Sequence, residues 1–225
     1  MEKPITRRAS LLTLGGLAAG AMGWKTESAL SAGDGPAAVA SGAITCVLTP
    51  EMTEGPYYVS GEKVRRNITE GRPGVPLELA LTVVNASTCK PIKGASVDIW
   101  HCDALGVYSG VQGNSGAFMR GVQRTDVHGL ARFTTVYPGW YQGRAVHIHV
   151  KVHIGGNVVH TGQFFFNDAV TDAAYTQAPY NTRGARDIRD SADSIYRNGG
   201  SKSLLAMKKS GAGYVGSITM GVHRS

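Results

Sequence analysis

Several features that would define a function class are scarce or missing in this 225-residue sequence. After the N-terminal stretch no apolar run approaches the length of a membrane-spanning helix. The formal net charge is +7, but the basic residues are scattered and form no arginine-rich helix or aromatic-interleaved patch, which excludes nucleic acid as a partner. Internal repeats and charged low-complexity runs are absent. The chain is therefore expected to fold as a globular protein with one well-buried domain.

Cysteine is also scarce, with three residues at positions 46, 89 and 102. Their spacing matches no zinc motif, and an odd number permits at most one disulfide pair and one leftover thiol. Cys102 lies next to Trp100 in a predicted strand and is expected to be a buried small apolar residue. Cys46 and Cys89 flank the first core strand from its two sides, so we predict that they form a disulfide.

The first 40 residues are not expected to belong to the fold. Thr6-Arg7-Arg8-Ala-Ser-Leu-Leu12 is a twin-arginine element, followed by a short Gly/Ala-rich apolar stretch. A small-x-small cleavage site follows at 38–40, with 29–31 as its rival. We predict a signal peptide over 1–40, export by the twin-arginine machinery to the envelope or medium, and one domain over 41–225. The alternative is an unprocessed, disordered N-terminus.

Apolar and β-branched runs recur with turn residues between them, as in an all-β sandwich of about six to nine strands. The predicted strands are 77–84, 95–100, 130–136, 147–154, 160–166 and 214–222. Only 169–177, with Asp168 or Thr171 as its cap, and 186–196 look able to form short helices near the C-terminus. The Gly/Ser/Asn-rich stretch 112–121 is expected to be a loop near the functional site.

Two histidines in the predicted strand 147–154 are candidates for metal binding. Side chains alternate faces along a strand, so His147 and His149 point the same way and could reach one ion. Two tyrosines, Tyr108 and Tyr141, each follow a glycine-bearing turn. A hard trivalent cation can remove the phenol proton, so two phenolates and two imidazoles suit Fe(III). From spacing alone, half-buried aromatic residues and solvent-facing histidines remain an equally valid interpretation.

At these residues the chain resembles the intradiol ring-cleavage dioxygenases, non-haem Fe(III) enzymes that open catechols between the two hydroxyl groups. The resemblance covers the chain from Cys46 to the C-terminus. The matching segments are 54–58 (Glu-Gly-Pro-Tyr-Tyr), 98–108, 124–129, 137–141 (Tyr-Pro-Gly-Trp-Tyr), 144–149 and 161–164. The resemblance implies a Greek-key topology for the sandwich. The short segment between Tyr141 and His147 and the lack of a long helical N-terminal region depart from the better-known members, which leaves substrate preference and quaternary structure open.

The resemblance also implies a role for each site residue. It implies that non-haem Fe(III) is held by Tyr108, Tyr141, His147 and His149. Tyr141 would leave the metal and accept a substrate proton, so that catechol and dioxygen yield a cis,cis-muconate-type product.

Three further residues have implied roles around the substrate. Arg144 would stabilise the carbanionic substrate, as fixed charge stabilises developing charge. Gln163 would lie behind the ligands, and Tyr57 would line the substrate cleft.

A different class of function is a non-catalytic sandwich that binds copper through His147 and His149, or a carbohydrate-binding module. Copper chaperone sites favour methionine, and the six methionines here are dispersed. A purely adhesive sandwich would have no need of Arg144 and both tyrosines. Metal analysis separates these readings.

Overall fold

The computed structural model describes residues 48–223. Two four-stranded sheets, ordered β4-β1-β8-β7 and β3-β2-β5-β6, make up the described part of the chain. The strands are β1 (Pro76–Asn85), β2 (Ser96–Trp100), β3 (Arg120–Arg124), β4 (Leu130–Val136), β5 (His147–Ile154), β6 (Asn157–Phe165), β7 (Ala206–Ser210) and β8 (Gly213–Val222). The predicted all-β sandwich is confirmed. No helix within 48–223 is long and apolar enough to cross a membrane.

The two sheets share one apolar core, and period-two alternation decides which side chains enter it. In β1, Leu77, Leu79 and Leu81 are buried, and Ile148 and Val150 of β5 meet them from the other sheet. The chain passes between sheets after β1, β3, β4 and β6. β1 pairs with β8 in parallel and with β4 in antiparallel orientation, so β1 lies in the interior of its sheet.

The segment 48–68 covers the outer face of the second sheet. Met52 N–H donates to the Thr161 carbonyl of β6 at 2.9 Å, and Arg65 N–H donates to the Val122 carbonyl of β3 at 3.0 Å. This segment therefore shields the polar residues of β5 that point away from the core. It is the reason that β5 is buried on both faces although its sequence alternates.

Two strands were not predicted from the sequence. β3 is the polar segment Arg-Gly-Val-Gln-Arg, which begins inside the predicted loop 112–121 and pairs with β2. β7 is an exposed edge strand containing Lys208 and Lys209. Neither strand shows apolar alternation. β3 is polar although it is partly buried, and β7 is mostly exposed. Their pairing partners, rather than their composition, make them strands.

The predicted helices are only partly correct. α1 (Asp168–Tyr175) is confirmed, but its cap is Asn167, whose side chain accepts from Ala169 N–H, rather than Asp168 or Thr171. In place of a helix over 186–196 there are a 3-10 turn, Asp190–Ala192, and the short α2 (Ser194–Arg197). Aspartate and serine side chains compete for backbone N–H groups and favour caps over helix interiors.

Candidate metal centre

His147 and His149 lie on the outer face of β5, under the 48–68 segment. Their exposures are 2% and 1%, so the interpretation of these residues as solvent-facing is wrong. Trp100, the cross-strand partner of His149, stacks on it with ring centroids 4.9 Å apart and planes at 5°. Both imidazoles are therefore held rigidly by packing.

Hydrogen bonding determines which nitrogen of His147 is available. Its Nδ1–H donates to the Ala145 carbonyl at 2.7 Å, which makes Nε2 the unprotonated, acceptor nitrogen of the neutral ring. This Nε2 lies 3.1 Å from His149 Nε2 and 3.1 Å from Tyr141 Oη. Burial and the nearby Arg144 guanidinium lower the pKa of His147 to about 3, so the ring is neutral at physiological pH.

The two tyrosines come from two loops, Tyr108 from the loop between β2 and β3 and Tyr141 from the loop between β4 and β5. Their rings are 5.6 Å apart, and the Tyr108 ring centroid is 6.2 Å from that of His149. Tyr108 Oη is buried. Burial raises the pKa of Tyr141 to about 12 and that of Tyr108 well above its ordinary value. Two neutral phenols therefore lie beside two neutral imidazoles, and the four side chains together could ligate a cation that removes the phenol protons.

Glycines allow the tyrosine turns to contact each other. A Cβ on Gly106 would lie 2.3 Å from the Trp140 carbonyl oxygen, and a Cβ on Gly139 would lie 2.5 Å from the Ala104 carbonyl oxygen. Gly106 also has φ +81°, a conformation that other residues rarely adopt. The glycine-bearing turns recognised in the sequence therefore bring Tyr108 and Tyr141 to one place.

The spacing of the donors fits a metal ion. Two ligands at right angles, each about 2.1 Å from a metal, are about 3.0 Å apart. The observed separations of His147 Nε2 from His149 Nε2 and from Tyr141 Oη are both 3.1 Å. Within 48–223 no group of three or more His, Cys, Asp or Glu side chains could hold a metal. A cation held here would therefore use phenolate oxygens as well as imidazoles, which favours a hard trivalent ion.

Arg144 and Gln163 lie beside the imidazoles. Arg144 Nη1 is 3.4 Å from His147 Nε2, and its Nη2 donates to Gln163 Oε1 at 2.6 Å. Gln163 Nε2 in turn donates to the Thr53 carbonyl at 2.9 Å. Arg144 and Gln163 thus lie beside the imidazoles, as predicted. A chain of hydrogen bonds connects them to Thr53 of the covering segment.

Tyr57 closes the site from the covering segment. Its ring is 4.5 Å from the Tyr108 ring and 6.2 Å from the Tyr141 ring. Gln112, in the predicted loop, donates to Tyr57 Oη at 3.2 Å. Tyr57 therefore forms an aromatic wall over the tyrosine side of the site.

Sequence reasoning missed two contributors to this geometry. Gly55 packs against His149, and Asp193 accepts a hydrogen bond from Arg144 Nε at 2.8 Å. Asp193 is 49 residues away from Arg144 in sequence, and no local pattern links them. Gly55 lies in the recognised Glu-Gly-Pro-Tyr-Tyr segment. A glycine there indicates that another group approaches the backbone closely, and this could have been read from the sequence.

Of the two cysteines in the described part of the chain, one is free and one is disulfide-bonded, as predicted. Cys102 is free and buried, and its Sγ donates to the Gly139 carbonyl at 3.3 Å. Burial raises the pKa of this thiol to about 12, so it is inert. Cys89 is disulfide-bonded. Cys46 and the signal peptide over 1–40 lie outside the described residues, so the pairing and the processing stay predictions.

Comparison with known proteins shows which family the chain belongs to. The sequence profile of the dioxygenase family Dioxygenase_C matches residues 53–171, more than half of the chain. Among solved structures, an intradiol ring-cleavage dioxygenase from Tetranychus urticae has a TM-score of 0.76 at 35% identity, covering 79% of this chain and 95% of that chain. The dioxygenase domain of a dioxygenase carbohydrate-binding protein fusion from Streptomyces sp. SirexAA-E has a TM-score of 0.64 at 28% identity, covering 80% and 100%. The chain belongs to the intradiol ring-cleavage dioxygenase family.

Curated relatives match shorter segments. Catechol 1,2-dioxygenase 2 of Acinetobacter lwoffii is 36% identical over 98 residues, 41% of this chain and 35% of that protein. Chlorocatechol 1,2-dioxygenase of Pseudomonas putida is 29% identical over 135 residues, 50% of this chain and 52% of that protein. The chain thus spans about a third to a half of the length of these relatives.

Proposed function

We propose that this protein is an exported, Fe(III)-dependent intradiol dioxygenase that cleaves a catechol-type diol with dioxygen to a cis,cis-muconate-type product. The observation that carries the proposal is the cluster of two imidazoles and two phenols in which His147 Nε2 lies 3.1 Å from both His149 Nε2 and Tyr141 Oη. Family membership and the catechol and chlorocatechol activities named for the relatives support it. The export part rests on the twin-arginine element at residues 6–12.

Tyr108, Tyr141, His147 and His149 would hold the iron. Bound Fe(III) would keep both phenols ionised and draw electron density from a chelated catechol. The four side chains differ in accessibility, because Tyr141 is partly exposed whereas the other three are buried. Tyr141 is therefore the group able to move aside for an entering substrate, and its phenolate oxygen would accept a proton from a catechol hydroxyl.

The other residues orient the substrate and stabilise charge on it. Arg144 presents a guanidinium nitrogen 3.4 Å from His147 Nε2, where negative charge on a bound diol ring would develop. Tyr57 stacks near Tyr108 and would confine the aromatic ring between apolar walls while excluding water. Substituents on the ring would be sensed at the Tyr57 hydroxyl, which Gln112 holds in place.

Metal content and oxygen uptake test this function together. The purified protein should contain about one iron per chain, absorb visible light through phenolate-to-Fe(III) charge transfer, and consume oxygen with one or more of catechol, protocatechuate, hydroxyquinol and chlorocatechol. A colourless protein that stays inactive after Fe(III) reconstitution, or one that binds copper in place of iron, would refute the proposal.

A pair of histidine variants locates the iron. His149→Ala should lose most of its iron because it removes a proposed ligand. His160→Ala is the matched control, since His160 is equally buried on the neighbouring strand but bonds to Glu51 at 2.9 Å. The His160→Ala protein should keep its iron. Equal iron content in the two variants would show that the metal is bound elsewhere.

A further inference from the structure

Arg144 is held from two sides, which leaves one nitrogen directed at the site. Its Nη2 donates to Gln163 at 2.6 Å and its Nε donates to Asp193 Oδ2 at 2.8 Å. Its Nη1 lies near His147 Nε2. Both bonds have a charged donor, but only the bond to Asp193 joins two opposite formal charges, so it adds a Coulombic attraction that the neutral amide of Gln163 lacks. Asp193 is therefore the dominant anchor.

The Asp193 carboxylate is fully engaged in this anchoring. Its side chain is 1% exposed. Oδ2 also accepts from Ala145 N–H at 2.8 Å, so one oxygen binds both the Arg144 side chain and the backbone that carries it. Oδ1 accepts from Ile195 and Tyr196 N–H at 2.8 and 3.0 Å and caps α2. A carboxylate tied at both oxygens has almost no freedom to move, and neither has the guanidinium bound to it.

Burial disfavours the charged form of Asp193, but hydrogen bonds outweigh burial. The backbone N–H groups of Ala145 and Tyr196 and the Arg144 guanidinium hold the pKa of Asp193 below its ordinary value. The carboxylate therefore stays ionised in the folded protein across the physiological range. It bonds to the Arg144 guanidinium and to the α2 backbone.

We propose that Asp193 is a positioning residue that sets the direction of Arg144 toward the reacting substrate. This inference rests on the proposed function, in which Arg144 stabilises charge on the diol. An arginine side chain has many accessible rotamers, which would spread an untethered guanidinium over many positions. Misplacing a catalytic group by about 1 Å can cost about 10²-fold in rate. The fold removes this freedom with a carboxylate from α2, 49 residues distant in sequence.

Asp193→Asn tests the inference, because asparagine keeps a good helix cap and removes the charge. We expect kcat to fall by about 10- to 100-fold, up to the loss caused by misplacing a catalytic group by about 1 Å, while iron content and the KM for catechol change by less than about twofold. Asp190→Asn is the matched control. Asp190 is a buried aspartate in the adjacent 3-10 turn whose carboxylate does not bond to Arg144, and its replacement should leave kcat unchanged.

A double-mutant cycle separates positioning from general structural damage. If Asp193 acts through Arg144, Asp193→Asn should cost less than about twofold in an Arg144→Gln background, since coupled residues are not additive. An equal loss in both backgrounds would overturn the inference, as would wild-type kcat in Asp193→Asn. Asp193→Ser, which also retains a cap, should reproduce the loss if Asp193→Asn folds poorly. A wild-type protein inactive on all catechols would overturn both proposals, whereas an active wild type with an unaffected Asp193→Asn overturns this one alone.

Discussion

Replacing Gly55 with alanine should disturb the candidate metal centre by pressing on one imidazole. Gly55 has φ +75° and lies in the segment that covers β5. A Cβ built there would be 3.1 Å from His149 Cε1, well inside the usual carbon contact distance of about 3.5–4.0 Å. Because Cε1 is bonded to Nε2, a shift of the ring moves the nitrogen that faces His147.

Gly61 provides the control that isolates this contact. Its φ is +80°, nearly the same, and a Cβ there meets nothing within 4 Å. Alanine in the left-handed region costs about 1–2 kcal/mol, partly offset by its smaller entropy loss from the unfolded chain. Both variants should lose about 1 kcal/mol of unfolding free energy for this reason. Gly55→Ala should lose a further 1–3 kcal/mol, roughly the cost of overpacking.

Iron affinity is the more specific readout. Disturbing a residue that orients a metal ligand lowers metal affinity by about 10- to 100-fold, so Gly55→Ala should bind iron at least about tenfold more weakly than Gly61→Ala. Urea unfolding of the iron-free proteins and competition with a ferric chelator measure the two effects. Equal chelator sensitivity in the two variants would refute the conclusion that Gly55 positions His149.

Three further outcomes are expected. Tyr141→Phe should keep its iron but lose about 10²-fold in turnover, because the proton acceptor is gone; turnover at the wild-type rate would remove Tyr141 from that role. Non-reduced peptide mapping of exported protein should show Cys46 bonded to Cys89. The bond closes a loop of about 43 residues and contributes about 3–4 kcal/mol to the unfolding free energy in the chain-entropy model. Free thiols at both positions would contradict this pairing. Burial lowers the pKa of His101 to about 4, against about 6.5 in the unfolded chain, so the unfolded state binds more protons between these values. The unfolding free energy of iron-free protein should therefore fall by up to about 3 kcal/mol from this residue as pH drops from 6.5 to 4, and urea titrations of His101→Asn should show a weaker pH dependence.

Local sequence patterns determined much of the sandwich. The strands with apolar alternation and turn residues at their ends were predicted almost to their observed bounds, with 130–136 and 147–154 matching β4 and β5. The shared face of His147 and His149 follows from the same period of two. These features depend on neighbours within a few residues, so a single sequence contains them.

Other elements depend on partners that are distant in sequence. β3 and β7 have no apolar alternation and become strands by pairing with β2 and β8. The predicted helix over 186–196 is replaced by the short α2, because the Asp193 side chain caps α2 and binds Arg144. Helix propensity over 186–196 contains no information about a contact with Arg144, which is distant in sequence.

The candidate site shows the same division. The sequence identified the candidate residues, since Tyr108, Tyr141 and the two histidines stand in a recognisable order. Only the tertiary structure decided that the two tyrosine loops meet β5 under a covering segment, with Tyr141 Oη 3.1 Å from His147 Nε2. Strand periodicity and turn signals specify how a side chain points from its own element. Which elements then meet is settled by the packing of two sheets, where burial of a shared core offsets the entropy of closing long loops.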